Sequence, residues 1–356
     1  MEYTSLSDYC KETFGTKLYK LTLDSGCTCP NRDGLLGTRG CLFCSAGGSG
    51  DFAAVIPGEL DKTSSATQSF SDVTGDDLDS ESKLDRQFED AKARIRGKFK
   101  AEGPDEGRYI AYVQSFTGTY PGKDGFAKDA TGTSAFDRMR ERYLTIIRRP
   151  EVRVLSIATR PDCLGPEVLD MLKELRAIKP VWIELGLQTS NEETAEYIRR
   201  CYRNEVYEQA VRDMKTLDIP VITHVILGLP GETAEDMADT VRYAVGCGTW
   251  GIKLQLLHVL EGTDLGEQHK AQEAGTPLPG ARPIRIMSLE EYTDLLCALL
   301  PLVPKDVVIH RLTGDGPKRI LLAPLWSGDK KRVLNTISKA IRELPESTLP
   351  AEAGKQ

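Results

Sequence analysis

Six short runs rich in Val, Ile and Leu recur along the chain: Leu18–Leu23, Tyr109–Phe116, Val152–Ala158, Val181–Leu187, Val221–Leu227 and Gly251–Leu257. Between them lie stretches with helical spacing, at roughly 134–148, 166–177, 191–200, 205–216 and 233–246, each long enough for a parallel crossover. Strands that are apolar almost throughout must be covered on both faces, which predicts an α/β fold around a parallel sheet. Periodicity leaves open whether the strands curl toward a barrel or form an open doubly wound sheet.

Parallel α/β folds place their ligands where the strands end. Each predicted strand ends there in polar or Gly-rich residues: Gln114 to Tyr120, Ala158-Thr159-Arg160-Pro161-Asp162, Glu184 to Thr189, His224 to Thr233, and Lys253-Leu254-Gln255 to His258. Any one of these also reads as a turn or a helix cap. Five on one predicted rim point to a site.

The first rim segment carries Cys29, Cys41 and Cys44. Three thiolates can hold three irons of a four-iron cluster and leave the fourth iron open to a ligand. The glycines around them (Gly34, Gly37, Gly40) allow a tight loop, and Pro30-Asn31 favours a turn straight after Cys29. On this loop alone a tetrahedral zinc site serves equally well, because Cys27 offers a fourth thiol.

Composition narrows the class. A chain of 356 residues can bury a large core. Its nine cysteines, odd in number and scattered, do not form a secreted disulfide framework, so the expected compartment is reducing and the expected location cytoplasmic. No run approaches the ~20 apolar residues of a membrane span. A net charge of −7 and a pI near 5.4 argue against nucleic-acid binding by bulk electrostatics, though local basic patches remain.

Residues 1–330 are expected to form the core, and 331–356 a C-terminal helix and tail. Within the core, 45–108 extends the cysteine loop. It contains a polar stretch at 61–83 that lacks the apolar groups to order itself. A helix follows, with Leu84, Phe88, Ala91, Ile95 and Phe99 on one face. Late in the chain, Arg311, Lys318 and Arg319 flank the Gly-rich loop Thr313-Gly314-Asp315-Gly316-Pro317. That loop could hold a phosphate; a hairpin turn between Val307–Arg311 and Ile320–Leu325 is an equally good reading. His258, at a strand end, is a candidate substrate contact or a satisfied hydrogen-bonder.

Taken together, Cys-x11-Cys-x-Phe-Cys, Thr-Arg-Pro-Asp-Cys-Leu (159–164), Glu-Leu-Gly-Leu-Gln-Thr (184–189), Gly-Leu-Pro-Gly-Glu-Thr (228–233), Ile-Lys-Leu-Gln-Leu-Leu-His-Val-Leu (252–260) and His-Arg-Leu-Thr-Gly-Asp-Gly-Pro-Lys (310–318) resemble the YtqA/YhcC-type radical S-adenosylmethionine (SAM) family, related to the elongator catalytic subunit. The resemblance runs from about Leu18 to Trp326. It implies a partial (β/α)6 TIM-type barrel with a short C-terminal extension. It also implies a [4Fe-4S] cluster on Cys29, Cys41 and Cys44, with SAM chelating the open iron and cleaved to a 5′-deoxyadenosyl radical. An electron donor such as flavodoxin or ferredoxin would supply the cluster.

By the same resemblance Phe43 lies near the adenine, Gln188 and Arg200 contact the methionine or ribose, Glu184 is a further cofactor contact, and Gly228 lets the backbone approach the adenosyl group. A surface position is the plain alternative for Arg200. Cys27 departs from the pattern and reads as a buried or idle thiol. Arg199 and Cys201 stand where Asn and Gly are more usual, and Gln255 where His is often found. The chain has room for neither an acetyltransferase nor a cobalamin domain. The implied function is tRNA modification at the wobble-uridine side chain, by family analogy. The alternatives are radical chemistry on a small metabolite or protein side chain, and a zinc-dependent nucleic-acid-binding or scaffold protein using Cys27.

Overall fold

The computed structural model describes residues 3–48, 81–98, 106–314 and 316–344. The polar stretch falls outside these residues over 61–80, as do Phe99, Asp315 and the tail beyond 344.

Among the described residues nine strands form: β1 Tyr19–Leu23, β2 Tyr109–Val113, β3 Val152–Thr159, β4 Val181–Gln188, β5 Val221–Leu227, β6 Gly251–Leu256, β7 Val259–Leu260, β8 Val308–Arg311 and β9 Leu321–Ala323. The helices are α1 Leu6–Phe14, α2 Glu81–Ile95, α3 Ala135–Arg148, α4 Pro166–Arg176, α5 Glu192–Tyr197, α6 Asn204–Thr216, α7 Ala234–Gly246, α8 Asp264–Glu273, α9 Leu289–Leu299 and α10 Lys330–Glu343. Seven strands make one parallel sheet in the order β1-β2-β3-β4-β5-β6-β8, curled into a half-barrel. The α/β partial barrel expected from sequence is therefore present, with a seventh strand added to the predicted six.

That addition corrects the hairpin. β8 joins the barrel beside β6, and β9 leaves it to pair antiparallel with β7. Four residues are too short a run to announce a barrel strand. Their pairing with Gly251–Lys253 lies far away in sequence.

Alternate residues of each strand serve different cores. The outward set, including Leu21, Ala111, Leu155, Ile183, Val225 and Leu254, packs against the helices. The inward set begins with an apolar plug of Leu18, Ile110, Val154, Trp182 and Ile222. Helix α1 supports this floor through Tyr9, whose ring stands 4.8 Å from Trp250 and 6.2 Å from Trp182. Helix α2 covers the β1 edge, burying Phe88, Ala91 and Ile95, the face that its spacing predicted.

The predicted 191–200 helix ends at Tyr197 because the chain turns left-handed just beyond it, with φ of 60° at Arg199 and 63° at Cys201. These are the two positions where Asn and Gly, which tolerate that region, were the expected residues. Here Arg and Cys occupy it at a cost of order 1 kcal/mol each.

Candidate active site

Cys29, Cys41 and Cys44 all line one pocket of about 610 Å³ inside the half-barrel. The loop that carries them is built from turns. The Cys29 carbonyl accepts from the amides of Arg32 (2.8 Å) and Asp33 (3.2 Å), and the Cys41 carbonyl from Cys44 (3.0 Å). Arg32 lies buried under this loop and donates to the Cys44 carbonyl at 2.9 Å. Gly40, at φ +73°, passes so close to the Arg32 guanidinium that a Cβ would stand 2.9 Å from its Nε. Two hydrogen bonds fasten the loop to the barrel: Leu42 N to Ile198 O (3.1 Å) and Leu265 N to Leu42 O (2.9 Å). The Asn31 amide nitrogen adds a third anchor, donating to Arg199 O at 2.7 Å and reaching Cys41 Sγ at 3.4 Å.

The three thiols suit a cationic cluster. Burial, and after it the neighbouring Cys44 and Cys29, together raise the Cys41 thiol to about 12, because three thiolates repel one another. Iron would reverse both effects. Among the described residues no three Cys, His, Asp or Glu side chains converge as a single ion would require. Cys27 points away from the loop into the core, its Sγ 3.4 Å from Met139 Sδ, and burial pushes its thiol up to about 11. The fourth thiol of a zinc site is thus turned aside.

The residues expected to touch the cofactor sit differently from one another. Phe43 lines the pocket while packing on an apolar cluster with Leu42 and Leu229. Gln188, at φ 62°, lines it too, and its amide nitrogen faces the carbonyls of Gly186 and Leu187 at 3.0 Å each. Arg200 is 1% exposed, not a surface residue. Its Nε donates to Tyr202 O (2.9 Å) and its Nη1 to Thr189 O (2.8 Å), so much of its hydrogen-bonding capacity holds the turn. Gly228 lies outside the pocket lining. Its amide donates to Met237 Sδ at 3.1 Å, and a Cβ there would strike Met287.

Glu184 is the centre of a buried charged layer. Its Oε1 accepts from Lys20 Nζ (3.3 Å) and Ser156 Oγ (2.9 Å); its Oε2 shares a 2.7 Å hydrogen bond with His224 Nε2 and pairs with Lys253. Lys253 Nζ also donates to the Tyr112 hydroxyl at 2.9 Å. Burial disfavours the carboxylate, but Lys20, Lys253 and His224 outweigh it and hold Glu184 well below the usual carboxylate range. His224 is pushed down to about 4 by burial and by Lys253, and is therefore neutral near pH 7.

Of Arg311, Lys318 and Arg319, Arg311 alone lines the main pocket, where His258 and Lys330 also lie. A Cβ on Gly314 would stand 3.1 Å from His258 Cε1, which places this histidine against the loop after β8. Lys318 and Arg319 are exposed, and Lys318 lines a separate shallow pocket near Gly328 and Lys330.

Sequence reasoning missed Lys20 and Tyr112, and marked His224 and Lys253 only as the starts of rim segments with no role of their own, although polar groups at inward positions of apolar strands were a signal. It also missed Tyr202. That ring lies between the guanidiniums of Arg160 (4.9 Å) and Arg200 (4.8 Å) and lines the pocket beside Gln188. Arg160 is itself fixed by a two-point pair with Asp162, at 2.9 and 2.7 Å.

Comparison with known proteins agrees with this arrangement. Residues 36–244 match the Radical SAM superfamily and 249–343 the Radical_SAM C-terminal domain. YtqA of Bacillus subtilis (strain 168) is 35% identical over 95% of this chain and 89% of its own, and YhcC of Escherichia coli (strain K12) 30% over 88% and 84%. A tRNA uridine(34) acetyltransferase of Methanocaldococcus jannaschii is 27% identical over 47% of this chain and 29% of its own. Among solved structures, Methanocaldococcus infernus Elp3 superposes with a TM-score of 0.51 at 18% identity, covering 71% of this chain and 58% of that one, a likeness of fold. Among the described residues no helix is long and apolar enough to cross a membrane. The chain belongs to the radical SAM superfamily, among relatives of the YtqA and YhcC type.

Proposed function

We propose that this chain is a tRNA-modifying radical SAM enzyme that acts on the side chain of a wobble uridine. The observation that carries the chemistry is the convergence of Cys29, Cys41 and Cys44 with Phe43, Gln188 and Tyr202 on one pocket, above an interior layer of charge. The substrate reading draws on kinship with a relative named for uridine 34 of tRNA. It is an analogy of family.

In this reading Cys29, Cys41 and Cys44 hold a [4Fe-4S] cluster with one iron left for SAM. With SAM and an electron donor of the flavodoxin or ferredoxin kind, such a cluster would supply the radical chemistry that takes hydrogen from a substrate. The chain's own residues do the positioning. Asn31 reaches Cys41 Sγ and ties the loop to the Arg199 carbonyl, which fixes the thiol's direction. Phe43 offers a flat apolar face, and the Arg160–Tyr202–Arg200 stack walls the pocket beside Gln188. The apolar plug below excludes water from the closed end, as a reactive radical requires.

Anaerobically reconstituted protein is expected to bind iron and sulfide and, when reduced, to cleave SAM to 5′-deoxyadenosine. Changing Cys29, Cys41 or Cys44 to Ala should abolish both, while Cys27→Ala should keep both. An equal loss at Cys27 would overturn the three-thiol assignment. For the substrate, mass spectrometry of tRNA nucleosides from cells with and without the gene should show one modified wobble uridine lost and its precursor accumulated; identical nucleoside profiles would overturn the tRNA reading.

A further inference from the structure

The interior layer around Glu184 carries more positive charge than its own network uses. Lys20 and Lys253 pair with Glu184 there and Arg311 lies level with Lys253, while among the described residues the pocket lining contains no acidic residue besides Glu184. Glu184 itself is saturated, each oxygen engaged twice, by Lys20 and Ser156 on one side and by His224 and Lys253 on the other. His224 is neutral, and the Tyr112 hydroxyl, held protonated by burial, already accepts from Lys253.

Two cations are left over on the pocket side. Lys20 Nζ spends one of its three donors, on Glu184 at 3.3 Å, and its side chain keeps 21% of its exposure. The Arg311 side chain makes no hydrogen bond or ion pair among the described residues. β8 sets it level with Lys253, and it is near enough to act electrostatically on Lys20, Tyr112, His224 and Lys253. Lys20 is part-buried and keeps donors beyond its Glu184 pair, while Arg311 stands exposed on the pocket lining, so an incoming anionic group would meet both without breaking the Glu184 network. In a chain of net charge −7, their collection at one depth of one pocket is not a reflection of composition.

We propose that Lys20 and Arg311 form a subsite for a small oxyanion, a carboxylate or a phosphate, carried by the substrate into the barrel below the three cysteines. An ammonium and a guanidinium on one pocket lining offer a point charge and a planar fork, groups suited to hold a two-oxygen anionic group. This rests on the reading of the pocket as a substrate chamber but not on the substrate being tRNA. Held by its anionic end, the substrate would present the atoms above that end toward the cysteine rim, the geometry that hydrogen abstraction needs.

The test uses the reconstituted full chain with excess SAM, so that the open iron is occupied. [1-13C]Acetate and inorganic phosphate are titrated separately at constant ionic strength with sodium chloride, and their 13C and 31P line widths are followed. At least one anion should broaden saturably. Arg311→Gln and Lys20→Met should each weaken that binding at least tenfold, and Lys339→Gln, on the exposed face of α10, should not. Arg311 has no internal partner to lose, so its variant remains informative should Lys20→Met fail to fold. Acetate alone binding identifies a carboxylate, phosphate alone a phosphate. Saturation by neither anion, or binding by Arg311→Gln equal to the parent's, overturns the proposal. No RNA enters the experiment, so a failure of the tRNA reading would leave its outcome unaffected.

Discussion

The two faces of the same seven strands obey different rules. Outward, Leu21, Ala111, Leu155, Ile183 and Leu254 form a continuous apolar surface under the helices. Inward, one residue along, the side chains change with depth: an apolar plug, then Lys20, Tyr112, Ser156, Glu184, His224 and Lys253, then the rim with its cysteines. The outer face is held by burial, which tolerates exchange among shapes of similar volume. The inner layer is held by complementary charge in a closed space, where losing one partner strands the others.

The largest expected effect follows directly. Glu184→Ala should destabilise the fold by about 3–5 kcal/mol, since it leaves Lys20 and Lys253 without their counter-charge. Urea denaturation measures it, and a loss no greater than that of an outer-face methyl would remove the distinction between the faces. Tyr112→Phe comes next, at about 1.5–3 kcal/mol, because it deletes the hydroxyl that accepts from Lys253. Ile183→Val, fully buried on the outer face beside Glu184 in sequence, should cost only ~0.5–1.5 kcal/mol.

The smallest effect contrasts two acids. Burial, with the charge of Asp236, pushes Glu232, near the rim, up to about 7, the opposite of Glu184, because the Thr189 hydrogen bond and Arg282 only partly offset it and no described cation forms an ion pair with it. Its folded value lies above the unfolded 4.5, so the folded state favours the protonated acid. That stability is present below pH 4.5 and is lost as pH rises through 7. Glu232→Gln should therefore match the parent at pH 4 and exceed it at pH 8 by at most about 1 kcal/mol, the side chain being partly solvated. Thermal melts of both proteins across that range would show a gap that opens with pH; a constant gap would disprove the assignment.

Much of the fold was legible from local pattern. Runs of Val, Ile and Leu marked six strands to within a few residues, and the spacing at Leu84, Phe88, Ala91 and Ile95 marked the buried face of α2. The cysteine loop was legible as a candidate site because its residues are contiguous and its turns chemically explicit. The place of β8 in the barrel was not: Val307–Arg311 read as one arm of a hairpin, because its partner strand lies far away in sequence. Arg200 was noticed but its burial was not, since a charged residue at a helix end carries no local sign that carbonyls will surround it.

Glu184 shows where such reading stops. Hydrophobic periodicity and the cysteine spacing were enough to establish a parallel α/β fold with a thiol-bearing rim, because strand, helix and turn preferences act over a few neighbouring residues. The charged layer needed the folded chain: Lys20 lies 164 positions from Glu184 and Lys253 lies 69. No local period encodes that meeting. It arises when separate strands curl around one axis and bring their inward polar residues to the same depth, where removal from water turns isolated charges into a network.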